Sequence, residues 1–209
     1  MLVVHHLNNS RSQRILWLLE ELDAPYEIKC YQRDAQTNLA PPELTAVNPL
    51  GKSPVITDGA ITIAESGAIV DYIQRKYGAG KLGAPAGEVA GEKYREWLHY
   101  SEGSAMLPLM LNLYVRRLGE ADAPLHPRIQ SEMDNHLGYV NQALEGRDWL
   151  MGDFTAADVQ MSFVGEVARA MGQMDKHPNL KAWVDRFQSR PAYKAALEKG
   201  GAYNLGPQG

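Results

Sequence analysis

The sequence predicts two domains, an α/β domain in residues 1–80 and an all-helical domain in residues 88–209. Short β-like segments alternate with helical patterns before residue 80, whereas every later segment has the apolar period of a helix. Residues 77–87 separate the two regions and are rich in Gly and Pro, as linkers are. Apolar residues make up 44% of the chain, enough to build a folded core.

The first domain begins with a β-α-β pattern. Residues 2–5 are short and partly β-branched, which predicts a strand, and apolar residues at helical spacing follow in residues 15–22. Pro25 ends that helix because it lacks a backbone N–H and biases the preceding residue away from helix. Residues 26–31 alternate as a second strand, and a crossover of this length makes the two strands parallel.

A hairpin and a helix complete the first domain. After a polar loop with one helical turn near residues 43–47, two short runs at 54–57 and 60–63 flank Asp58-Gly59. That dipeptide is a strong signal for a tight hairpin. A helix is then predicted over residues 66–77, so that the order is β-α-β, a loop, and β-β-α.

The second region predicts several long helices. One spans about residues 88–118, with a bend near Gly103 or Pro108, and another spans about residues 125–145. Residues 155–158, TAAD, are close to a capping box and begin a helix that we expect to be buried. Further helices are predicted around residues 180–187 and after Pro191.

Charge and hydropathy exclude several classes of function. The net charge of −4 lacks the basic surplus of a protein that binds nucleic-acid phosphates. The longest strongly apolar run, residues 15–19, is far shorter than the roughly 20 residues that a helix needs to cross a bilayer. The N-terminus lacks the basic start and apolar stretch of a signal peptide. We therefore expect neither a nucleic-acid partner nor a membrane partner.

Cysteine and histidine usage indicates the compartment and argues against a metal site. The single cysteine, Cys30, rules out an intrachain disulfide and fits a reducing, cytoplasmic setting. It lies in the second predicted strand, where we expect a small buried side chain. His5 and His6 lack the spacing of metal ligands and are expected to be packed side chains, so no metal is predicted.

The element order and four short segments resemble the cytosolic glutathione transferases over essentially the whole chain. Residues 48–56, NPLGKSPVI, and residues 64–69, AESGAI, carry the most specific part of the resemblance. Residues 9–14, NSRSQR, resemble the nucleophile-activating loop of serine-type, theta-like members from bacteria and fungi. The TAAD tetrad resembles the second-domain signature. The resemblance implies a thioredoxin-like N-terminal domain and an all-α C-terminal domain.

The resemblance also implies residues that bind glutathione. Glu65 and Ser66 would hold its glutamyl end, because the start of a helix favours an anion and a carboxylate can pair with an ammonium group. Ser53 and Pro54, joined by a cis bond, would offer backbone to its cysteinyl segment. Lys52 would pair with the glycyl carboxylate. The alternatives are that Ser66 only caps its helix and that Glu65 and Lys52 are merely solvated.

Ser10 is the predicted residue for thiol activation. A hydrogen bond to a charged group contributes about 1.5–3 kcal/mol, and one pKa unit corresponds to about 1.36 kcal/mol. A Ser10 hydroxyl that donates to the sulfur would therefore lower the thiol pKa by about one to two units. Ser12 is the competing hydroxyl, Asn8 or Asn9 could donate an amide N–H instead, and an ordinary N-cap is the alternative role of Ser10.

An electrophile would bind between Ser10 and the second domain. Met106, Met110 and Tyr114 lie at helical spacing and would line an adaptable pocket, although plain helix packing explains each of them as well. Glu102 would reach the ligand of the neighbouring subunit in a homodimer, as the resemblance implies.

The function implied is conjugation of the glutathione thiolate to small hydrophobic electrophiles in cytoplasmic detoxification, with glutathione as substrate. The alternatives are a glutathione-dependent isomerase or dehalogenase, and a non-catalytic binding or stress-associated protein that keeps the fold.

Overall fold

The computed structural model describes residues 1–201 and 203–205. They form two compact units, one containing Met1–Gly83 and Phe187–Leu205, the other containing Ala84–Arg186. The sequence-based division assigned residues 88–209 to one domain, but Phe187–Leu205 groups with the first unit. Residue 202 and residues 206–209 of that range lie outside the described residues.

A four-stranded mixed sheet forms the centre of the first unit. Its strands are β1 (Leu2–Leu7), β2 (Tyr26–Tyr31), β3 (Val55–Asp58) and β4 (Ile61–Ala64), in the spatial order β2-β1-β3-β4. β1 pairs with β2 in parallel and with β3 in antiparallel, and β4 pairs with β3 in antiparallel. The predicted α/β class with its thioredoxin-like βαβ-ββα order is confirmed.

The first unit also contains helices, and one of them lies in the C-terminal segment Phe187–Leu205. They are α1 (Gln13–Glu21), α2 (Pro42–Thr45), α3 (Ser66–Tyr77) and α9 (Pro191–Gly200). α1 packs against both α3 and α9. The Trp17 ring lies 5.3 Å from that of Phe187 and 5.4 Å from that of Tyr193. These aromatic contacts explain why Phe187–Leu205 belongs to the first unit.

Cys30 corrects one expectation. It was predicted to be a buried side chain, but it is exposed. β2 is an edge strand of the sheet, and its side chains are mostly exposed or half-buried. The prediction was wrong because a strand pattern does not reveal whether the strand lies at the edge or the centre.

The second unit is helical, as predicted. Its helices are α4 (Glu88–Tyr100), α5 (Met106–Val115), α6 (His126–Ala143), α7 (Ala156–Ala170) and α8 (Pro178–Ser189), the last of which ends beyond Arg186. The predicted bend near Gly103 is a π-helical turn over Ser101–Ala105, between α4 and α5. Within the described ranges, no helix combines the length and the apolar character that a membrane span requires.

The capping box of α7 is also confirmed. Thr155 Oγ1 accepts the Ala157 N–H at 3.3 Å, and Asp158 Oδ2 accepts the Thr155 N–H at 3.0 Å. α7 is buried from Ala156 to Ala168, so this cap fixes the start of a helix in the core of the second unit.

Candidate active site

Three segments of the first unit meet at one end of the sheet because of the strand register. His5 of β1 pairs with Val55 of β3, and Val55 pairs with Ala64 of β4. The residues that follow β1, precede β3 and follow β4 therefore emerge at the same end. This geometry brings together the predicted residues Ser10, Ser53 and Ser66, with Lys52 and Glu65 beside them in the chain.

Ser10 lies in the loop between β1 and α1. It is 4% exposed, and its hydroxyl lies 2.7 Å from that of Ser12, which is 0% exposed. The Ser12 N–H donates to Ser10 Oγ at 3.2 Å, which steadies the turn, but the N-cap position of α1 belongs to Ser12 and not to Ser10. Asn9 makes this turn possible with a φ of 49°, a conformation that Asn tolerates.

The competing donors differ from Ser10 in their surroundings. The side-chain carbonyl of Asn8 accepts the Arg33 N–H at 2.8 Å. Ser12 is enclosed, and its hydroxyl contacts the side chains of Ser10 and His6. The side-chain carbonyl of Asn9 accepts the Asn204 N–H at 2.7 Å. Of the two hydroxyls, only that of Ser10 belongs to a residue that retains exposed surface.

Ser53 faces Ser10 from the start of β3. The Ser53 hydroxyl donates to the His5 carbonyl at 3.0 Å. Ser10 Oγ lies 3.4 Å from Ser53 Oγ. The Ser53–Pro54 peptide bond is cis, as the resemblance implied. Lys52, directly before it, is exposed.

Ser66 is the first residue of α3 and is 4% exposed, while Glu65 before it is exposed. Glu65 has a φ of 71°, which turns the chain sharply between β4 and the helix. The side chain of Glu65, the N-cap residue, makes no capping hydrogen bond to α3. The first backbone N–H groups of this helix therefore remain available to an anion.

His6 is a buried member of this region that the sequence analysis treated only as a packed side chain. Its Nδ1 lies 2.9 Å from Ser12 Oγ. Burial lowers the pKa of the imidazole, and a hydrogen bond to the Gly200 backbone acts in the opposite direction. The only signal in the sequence was a polar residue inside an apolar strand.

The predicted electrophile residues all belong to the second unit. Met106, Met110 and Tyr114 share one face of α5, and their exposure increases along it. Met106 is buried, Met110 is half-buried, and Tyr114 is 54% exposed. Glu102 lies half-buried in the π-helical turn. Among the side chains that the structure describes, no cluster has the composition of a metal site.

Comparison with known proteins identifies the family. The family model described as "Glutathione S-transferase, N-terminal domain" matches residues 1–75, and "Glutathione S-transferase, C-terminal domain" matches residues 110–200. The chain is similar to Glutathione S-transferase 3 of Schizosaccharomyces pombe, with 37% identity over 95% of this chain and 88% of the relative.

Two solved structures are similar as well. A glutathione S-transferase from Actinobacillus pleuropneumoniae has a TM-score of 0.88 and 33% identity, covering 98% of this chain and 95% of its own. A glutathione transferase family member from Pseudomonas fluorescens, crystallised with two glutathione bound, has a TM-score of 0.79 and 26% identity over 94% and 92%. The chain belongs to the glutathione S-transferase family.

Proposed function

We propose that this protein binds glutathione at the sheet end described above and conjugates its thiolate to small hydrophobic electrophiles. The observation that carries the proposal is the convergence of Ser10, Ser53 and Ser66 at that end. Similarity to a structure with two glutathione bound supports the ligand. In the reaction, a sulfur–carbon bond forms while a halide leaves, or the sulfur adds across an activated double bond.

Ser10 is the proposed activator of the thiol, which makes the protein a serine-type enzyme. A free cysteine thiol has a pKa of about 8.5, so only a few per cent is ionised at neutral pH. Donation from the Ser10 hydroxyl favours the thiolate by about 1.5–3 kcal/mol, which lowers the thiol pKa by about one to two units. Exposure favours Ser10 over Ser12, which is fully buried.

The two carboxylates and the ammonium group of glutathione require partners of opposite charge. The α-carboxylate of its glutamyl end would accept from Ser66 and from the uncapped N–H groups of α3, while Glu65 pairs with the ammonium group. The backbone at Ser53 and Pro54 would pair with the cysteinyl segment as an added strand edge. The exposed Lys52 would attract the glycyl carboxylate.

The electrophile would contact Met106, Met110 and Tyr114. Methionine is flexible and polarisable, which suits substrates of varied shape, and the exposed Tyr114 hydroxyl is available to a polar group. We further propose a cytoplasmic homodimer that acts in detoxification, in which Glu102 reaches the ligand of the neighbouring subunit. Sedimentation of the wild type and of Glu102→Gln, combined with glutathione affinity, tests that part.

Ultraviolet titration of the thiolate of bound glutathione tests the activation step. We expect Ser10→Ala to raise the pKa of the bound thiol by about one to two units, while Ser131→Ala, which removes an exposed hydroxyl of α6, leaves it unchanged. Equal pKa values in the wild type and in Ser10→Ala would show that Ser10 does not activate the thiol.

A conjugation assay with a generic electrophile tests the reaction itself. Turnover with stoichiometric loss of glutathione supports a transferase. Turnover without loss of glutathione would instead indicate an isomerase, and binding without turnover would indicate a non-catalytic protein.

A further inference from the structure

A chain of buried polar side chains leads from Ser10 into the first unit. Ser10 Oγ lies 2.7 Å from Ser12 Oγ, and Ser12 Oγ lies 2.9 Å from His6 Nδ1. Both distances are those of hydrogen bonds, and all three residues are buried. In the proposed function only Ser10 contacts the thiol, and Ser12 and His6 have no assigned role in its ionisation.

Counting hydrogens shows a conflict in the thiolate complex. Ser10 and Ser12 supply one hydroxyl proton each. Three hydrogen bonds would have to be filled, to the sulfur, between the two hydroxyls, and to Nδ1 of a neutral His6. Two protons cannot fill three bonds, so one contact is lost unless His6 Nδ1 itself carries a proton.

The Gly200 backbone determines the tautomer that we assign to His6. Gly200 lies against the ring, since a Cβ at this position would be 3.3 Å from His6 Cε1. Its backbone acts to raise the pKa of the imidazole, as a carbonyl that accepts from a ring N–H does. Nδ1 faces Ser12, so the proton of the neutral ring belongs on Nε2 and Nδ1 accepts from the Ser12 hydroxyl. We therefore assign the short hydrogen bonds of the free protein to run from Ser10 to Ser12 to His6. Ser53 Oγ and the Leu7 carbonyl, each at 3.4 Å, are the longer and weaker alternative acceptors of the Ser10 and Ser12 hydroxyls.

Burial dominates the titration of His6. It lowers the pKa of the imidazole from its ordinary value, so the ring is neutral at pH 7. The neighbouring strand and helices carry charged or titratable residues, among them Cys30 and Lys29 of β2, Arg14 and Glu20 of α1, and Lys199 of α9. None of them is among the causes of the shift, and Lys199 is paired with Glu20 at 2.6 Å.

We propose, building on the proposed function, that His6 is a positioning residue that receives the proton of the bound glutathione thiol through Ser10 and Ser12. The S–H bond breaks as its proton bonds to Ser10 Oγ, the Ser10 hydroxyl proton moves to Ser12 Oγ, and the Ser12 hydroxyl proton moves to His6 Nδ1. The products are a thiolate and an imidazolium, and nothing is oxidised or reduced. The three hydrogen bonds counted above then run from His6 towards the sulfur, and each of them has its proton.

Nuclear magnetic resonance of ¹⁵N-labelled histidine at pH 7 tests this relay. We expect His6 to be neutral in the free protein and protonated on both nitrogens when glutathione saturates the site. S-methylglutathione is the matched ligand, and because it has no thiol proton it should leave His6 neutral. A bound thiolate beside a neutral His6 would overturn the relay alone, whereas absence of binding, or a bound thiol that stays protonated, would overturn the proposed function.

Three variants separate the relay from mere packing. Ser12→Ala interrupts the path, so we expect His6 to stay neutral with glutathione bound and the pKa of the bound thiol to rise by about one unit. His6→Asn can still bond to Ser12 but cannot take up a proton, and should give the same rise. His5→Asn is the control, because the side chain of His5 bonds to Tyr31 instead. An unchanged thiol pKa in folded Ser12→Ala would refute the proposal even if His6→Asn does not fold.

Discussion

Replacing Asp158 with alanine should destabilise the second unit more than any single surface change. The carboxylate is 0% exposed, and three buried N–H groups donate to it. These are the Leu150 N–H at 3.0 Å, the Thr155 N–H at 3.0 Å and Trp183 Nε1–H at 2.9 Å. Burial raises the pKa of Asp158 to about 6, so at pH 7 the group is mostly ionised and accepts all of them.

The magnitude follows from the donors that the substitution leaves behind. A buried donor without a partner costs about 1–3 kcal/mol, and three of them set a loss of at least about 3 kcal/mol in the free energy of unfolding. Asp158→Asn keeps one acceptor oxygen but turns an NH₂ group towards at least one donor. It should therefore lose an intermediate amount, about 1–3 kcal/mol.

Urea unfolding followed by tryptophan fluorescence measures this loss, since Trp183 is itself one of the donors. Asp153→Ala is the matched control, because Asp153 is exposed in the loop before α7 and should change the free energy by less than about 0.5 kcal/mol. Equal stability of the Asp158→Ala and Asp153→Ala proteins would refute the reasoning that the hydrogen bonds of this cap hold the unit together.

Three shorter predictions concern packing, pH and ligand affinity. Gly165→Ala puts a methyl group 2.8 Å from Val184 Cγ2 and should lower stability in thermal unfolding by about 1–3 kcal/mol, whereas Gly103→Ala, which meets nothing within 4 Å, should not clash. Asp58 accepts side-chain hydrogen bonds, first of all from Lys76, which hold its pKa at about 2, below its value in the unfolded chain. The stability it contributes is therefore present above about pH 4 and lost as pH falls towards 2, and acid titration of Asp58→Asn should lack that loss. Ser66→Ala should raise the calorimetric Kd for glutathione by about tenfold or more, and an unchanged Kd would remove Ser66 from the proposed site.

Local signals predicted most of the first unit. Proline, glycine and alternation are properties of neighbouring residues, and the strand at 26–31 and the helix at 66–77 have the predicted bounds. β1 continues to Leu7, beyond its predicted end at His5, because pairing with β2 extends that far. The C-terminal segment depends on the contact of Trp17 with Phe187, which joins distant parts of the sequence and leaves no local pattern.

The difference between local signals and long-range contacts also explains which parts of the candidate site could be predicted from the sequence. Ser10, Ser53 and Ser66 were predicted from local motifs that resemble the family, whereas the spatial order of the strands, which places them at one end of the sheet, is visible only in the structure. His5 and His6 are adjacent in β1, and their side chains point to opposite faces of the sheet. Only His6 faces the start of α1, where it reaches Ser12, whereas His5 bonds to Tyr31.

The role of a strand histidine thus depends on what packs against each face, and in this protein Gly200 of α9 lies against the side chain of His6. An alanine at Gly200 would put a methyl carbon 3.3 Å from His6 Cε1 and 2.6 Å from Gln13 Oε1. Glycine therefore lets the backbone approach the imidazole closely enough to fix its tautomer. If the relay operates, a residue at the end of the chain sets the direction of the hydrogen bonds that reach the sulfur. The acid–base chemistry of the site then depends on the packing of α9 as well as on the motif that contains Ser10.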